Sequence, residues 1–262
     1  MPTKYLVFNA DDFGFTPDVN AGIVHCHRNG VLRATTLMAN GDAFDDAVRL
    51  ALETPSLDIG CHLVLIQGRS LVTGEELPGN WKQFLAALVS RRLHPYRELR
   101  AQMEKIVASG LRPSHLDTHK HTHVVPAVLS AVIRLAHEFD VPFIRLPFDA
   151  GWKPVRLLDG YSRRKLARER VRATDHFLGF RLTDGLTEQS LLRSLPAIAD
   201  GSTEFMCHPG YLGPDLREAK TRLKETRERE LAALTCQAVK EELKRRQIVL
   251  TDYRELAKSQ VG

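Results

Sequence analysis

Nine consecutive residues, His115-Leu116-Asp117-Thr118-His119-Lys120-His121-Thr122-His123, hold four histidines and one carboxylate. Imidazole nitrogens and carboxylate oxygens are the usual ligands of a catalytic divalent ion, which keeps one position open for water or substrate. If the stretch runs as a strand, residues 115, 117, 119, 121 and 123 share one face. That face carries His, Asp, His, His and His. A hydrophobic core does not accept it, because each buried polar group needs a partner. A solvated polar loop or a metal site does, and four histidines at alternate spacing favour the metal site.

Three further places carry chemistry. Asp11 and Asp12 are adjacent and follow the apolar run at residues 5–8. Two neighbouring carboxylates repel each other unless something positive lies near. They are either a capping pair ahead of the first helix, or a metal ligand beside a general base that takes a proton from water acidified by the ion. His62 follows Gly60-Cys61 in a predicted strand, as a core histidine or a third ligand. His208 sits in Cys207-His208-Pro209-Gly210-Tyr211. A histidine before Pro-Gly at a strand end is displayed on a rigid turn, which suits a general acid opposite the base.

Such scattered residues meet only if the fold gathers them. Continuous apolar runs predict buried strands at residues 5–8, 34–38, 57–66, 142–147, 203–207 and 248–251, with another starting near His115. Helices are predicted at 16–29, where Thr16 is the N-cap and Pro17 the first helical residue, and at 44–52, 81–90, 96–109, 125–138 and 187–199. Residues 163–177 read as a basic helical stretch, and 216–246 as one long amphipathic helix or two. Seven or eight short strands alternating with helices indicate an α/β fold with parallel strands. A single deformed (β/α) barrel spanning residues 1–262 is the leading expectation, and a doubly wound open sheet the alternative. No GxGxxG follows the first strand, so dinucleotide binding has no support. In a barrel the C-terminal strand ends converge on one face, where active sites lie.

Composition narrows the class. The 262 residues are 43% hydrophobic and 26% charged, as in ordinary globular proteins, with a formal net charge of +5. The basic residues gather at 163–172 and 217–246, interleaved with Glu and apolar residues at helical spacing. They read as solvated helix faces rather than a nucleic-acid surface. Cys26, Cys61, Cys207 and Cys236 form no CxxC pair, which argues against a cysteine zinc site or disulfide framework. The N-terminal apolar run is too short for a signal peptide, and the run near 124–133 too short to span a bilayer. A cytoplasmic protein without membrane or nucleic-acid partners is expected. Its oligomeric state is not legible; helix 216–246 packs on its own barrel by default, or serves a homodimer interface.

Taken together, Asn9-Ala10-Asp11-Asp12-Phe13-Gly14, Gly60-Cys61-His62-Leu63, His115-Leu116-Asp117-Thr118-His119 and Met206-Cys207-His208-Pro209 resemble the YdjC-like carbohydrate deacetylase family, over about residues 4–254. The resemblance implies a deformed (β/α) barrel, one divalent ion, and removal of acetyl groups from N-acetylated amino sugars such as chitooligosaccharides. By motif it implies Asp12, His62 and His119 as ligands, Asp11 as general base and His208 as general acid. Asp117 then orients a ligand histidine. His121 and His123 fall beyond the family's ligand positions; they line the substrate cleft, or one replaces His119. Cys61 stands where a larger apolar residue is common in the family.

The ligand set suits zinc, cobalt or nickel by ligand type, and magnesium if affinity is modest. Competing functions are deacetylation of a glycolipid or another N-acetylated metabolite, a metallophosphoesterase with Arg145 as the phosphate-binding cation, and a non-catalytic sugar- or metal-binding protein. The pairing of Asp11 and His208 with the ligand set argues against the last. Specificity is expected in the loops 67–80 and 149–160, with Trp81, Trp152, Tyr161 and Tyr211 as candidate sugar-stacking rings.

Overall fold

A computed structural model describes residues 3–149 and 156–259. Strand β1 (Lys4–Phe13) begins with the apolar run and continues through both aspartates. It is followed by α1 (Pro17–Asn29), β2 (Ala34–Leu37), α2 (Phe44–Leu52), β3 (Asp58–Leu63), α3 (Trp81–Val89), α4 (Pro95–Ala108) and β4 (His115–Thr118). Then come α5 (Pro126–Glu138), β5 (Phe143–Ile144), α6 (Arg156–Arg168), β6 (His176–Leu178), α7 (Glu188–Ser194), β7 (Gly201–Cys207), α8 (Pro214–Glu218), α9 (Glu225–Thr235), α10 (Gln237–Arg245), β8 (Ile248–Leu250) and α11 (Tyr253–Lys258).

Seven strands run in the order β5-β4-β3-β2-β1-β7-β6, and β8 pairs with the start of β1. All pairings are parallel. A bridge between Phe143 and Arg172 draws the two outer edges together, so the sheet curls into a deformed barrel. Local signals set the boundaries as expected at α1, where the Thr16 side chain accepts from the Val19 N–H and Pro17 opens the helix. Residues 64–66 leave the β3 ladder; the Gln102 amide takes a strand's place by bonding both backbone groups of Val64, at 2.7 and 2.8 Å.

Two expectations need correction. The stretch 163–177 is not helical throughout: α6 ends at Arg168 and β6 begins at His176. A three-residue strand is too short to show a period against a basic background. Residues 216–246 form three helices, α8 to α10, with Cys236 in an extended conformation between the last two.

Successive strand residues face opposite sides. On β1, Leu6, Phe8 and Ala10 join the apolar core that the helices cover. Val7 faces the barrel interior, packed with Ala34, Phe143, Tyr253 and Leu256, so α11 plugs one end. Above this apolar floor the interior turns polar. Asn9, Asp11, His115, Asp117, Arg145 and Glu204 are all buried. The His115 ring stacks on Tyr253, with centroids 3.9 Å apart, and its Nε2 bonds Asn9 Oδ1 at 2.9 Å. Gly60 makes room for that ring, since a Cβ there would lie 2.5 Å from His115 Cε1.

Candidate active site

The C-terminal ends of the strands open into a cavity of about 860 Å³ lined by Asp11, Asp12, His62, His119 and His208 among others. β1 supplies both aspartates. In a regular strand, neighbours point to opposite faces. Here the register with β2 slips between Ala10 and Phe13, and Asp12 takes a left-handed backbone, φ 68°. The irregularity re-aims Asp12, so that both carboxylates reach one site.

Asp12 Oδ1, His62 Nε2 and His119 Nδ1 form a triangle with edges of 3.2, 3.3 and 3.4 Å. Ligands about 2.0–2.2 Å from a common ion stand about that far apart. Asp12 Oδ1 is buried without a hydrogen-bond partner, so an acceptor is left facing two imidazoles. The residues present therefore fit a divalent ion. The other imidazole nitrogen of His62 binds Asp117 Oδ1 at 2.7 Å, which fixes the ring and leaves Nε2 facing the triangle. Burial opposes a charge on His62, but Asp117 and Asp11 outweigh it and push the pKa up to about 10. The position thus attracts positive charge, whether proton or ion.

Asp11 is held differently. Arg145 spans its two oxygens at 2.6 and 2.7 Å, and Asn9 Nδ2 adds a third bond at 3.1 Å. Burial raises the Asp11 carboxyl, yet the Arg145 guanidinium, aided by His62 and His208, holds it well below the usual carboxylate range. His208 Nε2 stands 3.9 Å from Asp11 Oδ2. Burial keeps His208 neutral, its pKa pushed down to about 4 despite the nearby aspartates.

The histidine-rich stretch does not continue as a strand. The ladder ends at Thr118, and Lys120 and His121 both adopt a left-handed φ of 54° that kinks the chain. This breaks the expected common face. His115 and Asp117 lie in the interior, His119 joins the triangle, and His121 lines the cavity. His123 is turned away; its Nδ1 bonds Thr118 Oγ1 at 2.6 Å and its Nε2 takes the Arg145 carbonyl at 2.9 Å.

Sequence reasoning misplaced three residues. Arg145, considered for phosphate, is 1% exposed and engaged by Asp11, Asp117 and Glu204. It has no free edge for a substrate phosphate, which removes the basis of the phosphoesterase reading. Arg227 and Glu230 were grouped with a solvated helix face. Both are 1% exposed. Arg227 Nη2 binds Asp12 Oδ2 at 2.5 Å, and Glu230 Oε2 accepts the His208 backbone N–H at 2.5 Å. The legible signal was their spacing of three on α9, one turn apart on a single face. Of the candidate stacking rings, Trp81 lines the cavity, Tyr161 and Tyr211 do not, and Trp152 lies outside the described residues. Phe180 lines it too and was not foreseen. Among the described residues no helix is long and apolar enough to cross a membrane.

Residues 5–245 match the family model described as YdjC-like protein. A carbohydrate deacetylase from Brevibacillus brevis is 37% identical, covering 96% of this chain and 99% of the relative. One from Geobacillus stearothermophilus is 36% identical, covering 97% and 99%. A crystal structure from Enterococcus faecalis, of a protein proposed to cleave cellobiose phosphate, superposes with a TM-score of 0.81 at 26% identity, covering 97% of this chain and 99% of that one. With motifs, fold and full-length similarity in agreement, the chain belongs to the YdjC-like family.

Proposed function

We propose that this protein is a divalent-ion-dependent hydrolase that removes the acetyl group from an N-acetylated amino sugar of chitooligosaccharide type. The carrying observation is the triangle of Asp12 Oδ1, His62 Nε2 and His119 Nδ1, with Asp11 and His208 beside it in one cavity. The names of the Brevibacillus and Geobacillus relatives support a carbohydrate substrate and loss of an acyl group.

Asp12, His62 and His119 would hold the ion. Bound there, the ion acidifies water and polarises the amide carbonyl. Asp11, kept ionised and aimed by Arg145, takes a proton from the attacking water. The C–N bond breaks as His208 delivers a proton to the departing nitrogen, and acetate and a free amino sugar are released. A neutral resting His208 must first gain that proton; Asp11 Oδ2, 3.9 Å away, is the nearby source once it has accepted one.

Acetate release from N,N′-diacetylchitobiose by wild type, Asp11→Asn and His208→Ala tests the assignment. Release by wild type and loss in both variants is expected. Undiminished release by either variant removes that residue's proton-transfer role.

A further inference from the structure

Several polar side chains that line the cavity have no task in this mechanism, and His121 is the one set among aromatic rings. His121 comes second in a pair of left-handed residues, a backbone that non-glycine residues seldom adopt. The pair turns the chain out of the β4 ladder and places the His121 ring in the cavity wall. Aromatic neighbours surround it, with centroids at 5.3 Å for Phe180, 6.3 Å for Phe177 and 6.4 Å for His123. Neither ring nitrogen has a hydrogen-bond partner among the described residues, and Nδ1 is buried. His62, His115 and His123, by contrast, each engage both nitrogens. Nor does His121 belong to the ligand triangle.

A buried imidazole nitrogen left without a partner costs stability, and the ring's place on the cavity wall leaves its bonding to water or to a bound ligand. Phe180 indicates which ligand. It follows Gly179, where φ is 110° and a Cβ would lie 2.2 Å from the Met206 carbonyl oxygen. The tight passage against β7 brings the Phe180 ring to the same wall, next to His121. An apolar ring beside an unpaired hydrogen-bonding group matches the surface of a sugar, which alternates C–H faces with hydroxyls.

We propose that His121 and Phe180 form a sugar subsite, in which the His121 imidazole hydrogen-bonds a saccharide hydroxyl and the Phe180 ring covers an adjoining C–H face. This rests on the deacetylase reading for the identity of the sugar. His121→Phe keeps a ring against Phe177 and Phe180 while removing both nitrogens. It is expected to raise the KM for N,N′-diacetylchitobiose about 10-fold, with kcat within about threefold and divalent-ion affinity, measured by calorimetry, unchanged. Hydrolysis of 4-nitrophenyl acetate, which carries no sugar, stays at the wild-type rate, and His121→Gln recovers part of the saccharide KM. An unchanged saccharide KM, an equal loss on both compounds, or a loss of ion affinity overturns the proposal. The His121 imidazole 15N shifts in wild-type protein titrated with diacetylchitobiose give a reading without turnover or variants. A shift supports the subsite, and constant shifts overturn it. Wild type that releases no acetate contradicts the deacetylase reading alone, because the 15N titration still decides the subsite.

Discussion

Arg145 shows how far a single residue organises this site. Its guanidinium meets Asp11, Asp117 and Glu204, all buried, so it aims the candidate base and also braces the carboxylate that orients His62. A buried cation ringed by carboxylates is costly to remove, because its partners then remain charged away from water. Arg145→Met is predicted to lose about 3–5 kcal/mol of unfolding free energy in urea titration; a loss below about 1 kcal/mol contradicts that picture. Asp11→Asn should behave otherwise. Asparagine keeps the shape but removes the base and one of the three charges around Arg145, which retains Asp117 and Glu204, so kcat is predicted to fall about 10²–10⁴-fold with KM little changed. A KM effect with kcat preserved would make Asp11 a binding group instead.

Two elements matter more than their lengths suggest. The α9 face carrying Arg227 and Glu230 supports opposite sides of the site, Asp12 on one and the His208 backbone on the other. Arg227→Met is predicted to cost about 10–100-fold in kcat/KM, as the loss of a metal ligand's supporting partner typically does; wild-type kcat/KM would show that Asp12 needs no clamp. The turn after β4 ties that strand to β5 through His123, which bonds Thr118 and the Arg145 carbonyl. Burial pushes the His123 pKa from 6.5 down to about 3. The unfolded chain therefore binds the extra proton over that range. The stability from neutral His123 is complete above about pH 6.5 and is lost as pH falls toward 3. The gap in unfolding free energy between wild type and His123→Gln is predicted to narrow by up to about 1.4 kcal/mol per pH unit below pH 6.5. A gap that stays constant down to pH 4 contradicts a buried neutral histidine. Little of this support was legible in the sequence beyond the spacing of three that sets Arg227 and Glu230 on one face of α9. Charges at helical spacing look solvated whether or not one face is buried, and the alternating histidines hid a turn made by Lys120 and His121, neither of them glycine.

At the scale of the whole molecule, the sequence was a better guide. Apolar runs each ending in a polar cluster indicated parallel strands whose C-terminal ends meet, and Asp11, Asp12, His62, His119 and His208 do line one cavity there. β5 was placed, though shorter than the expected 142–147, whereas the three residues of β6 leave too little pattern to place, and the α11 plug beneath His115 depends on long-range packing that no local signal announces. The same architecture separates ion binding from folding. The apolar core lies between sheet and helices, away from the triangle, so the protein is expected to fold without an ion. A saturating divalent ion should then add stability, about 2.7 kcal/mol at 100 times its Kd, visible as a concentration-dependent rise in Tm.

The most direct test of the central claim is to count products from N,N′-diacetylchitobiose with chelated and ion-reloaded protein. Equal amounts of acetate and new primary amine after reloading, neither after chelation, and an intact disaccharide backbone are the predicted result. Acetate release that persists without any divalent ion, or cleavage of the glycosidic bond with both acetamides intact, would contradict it.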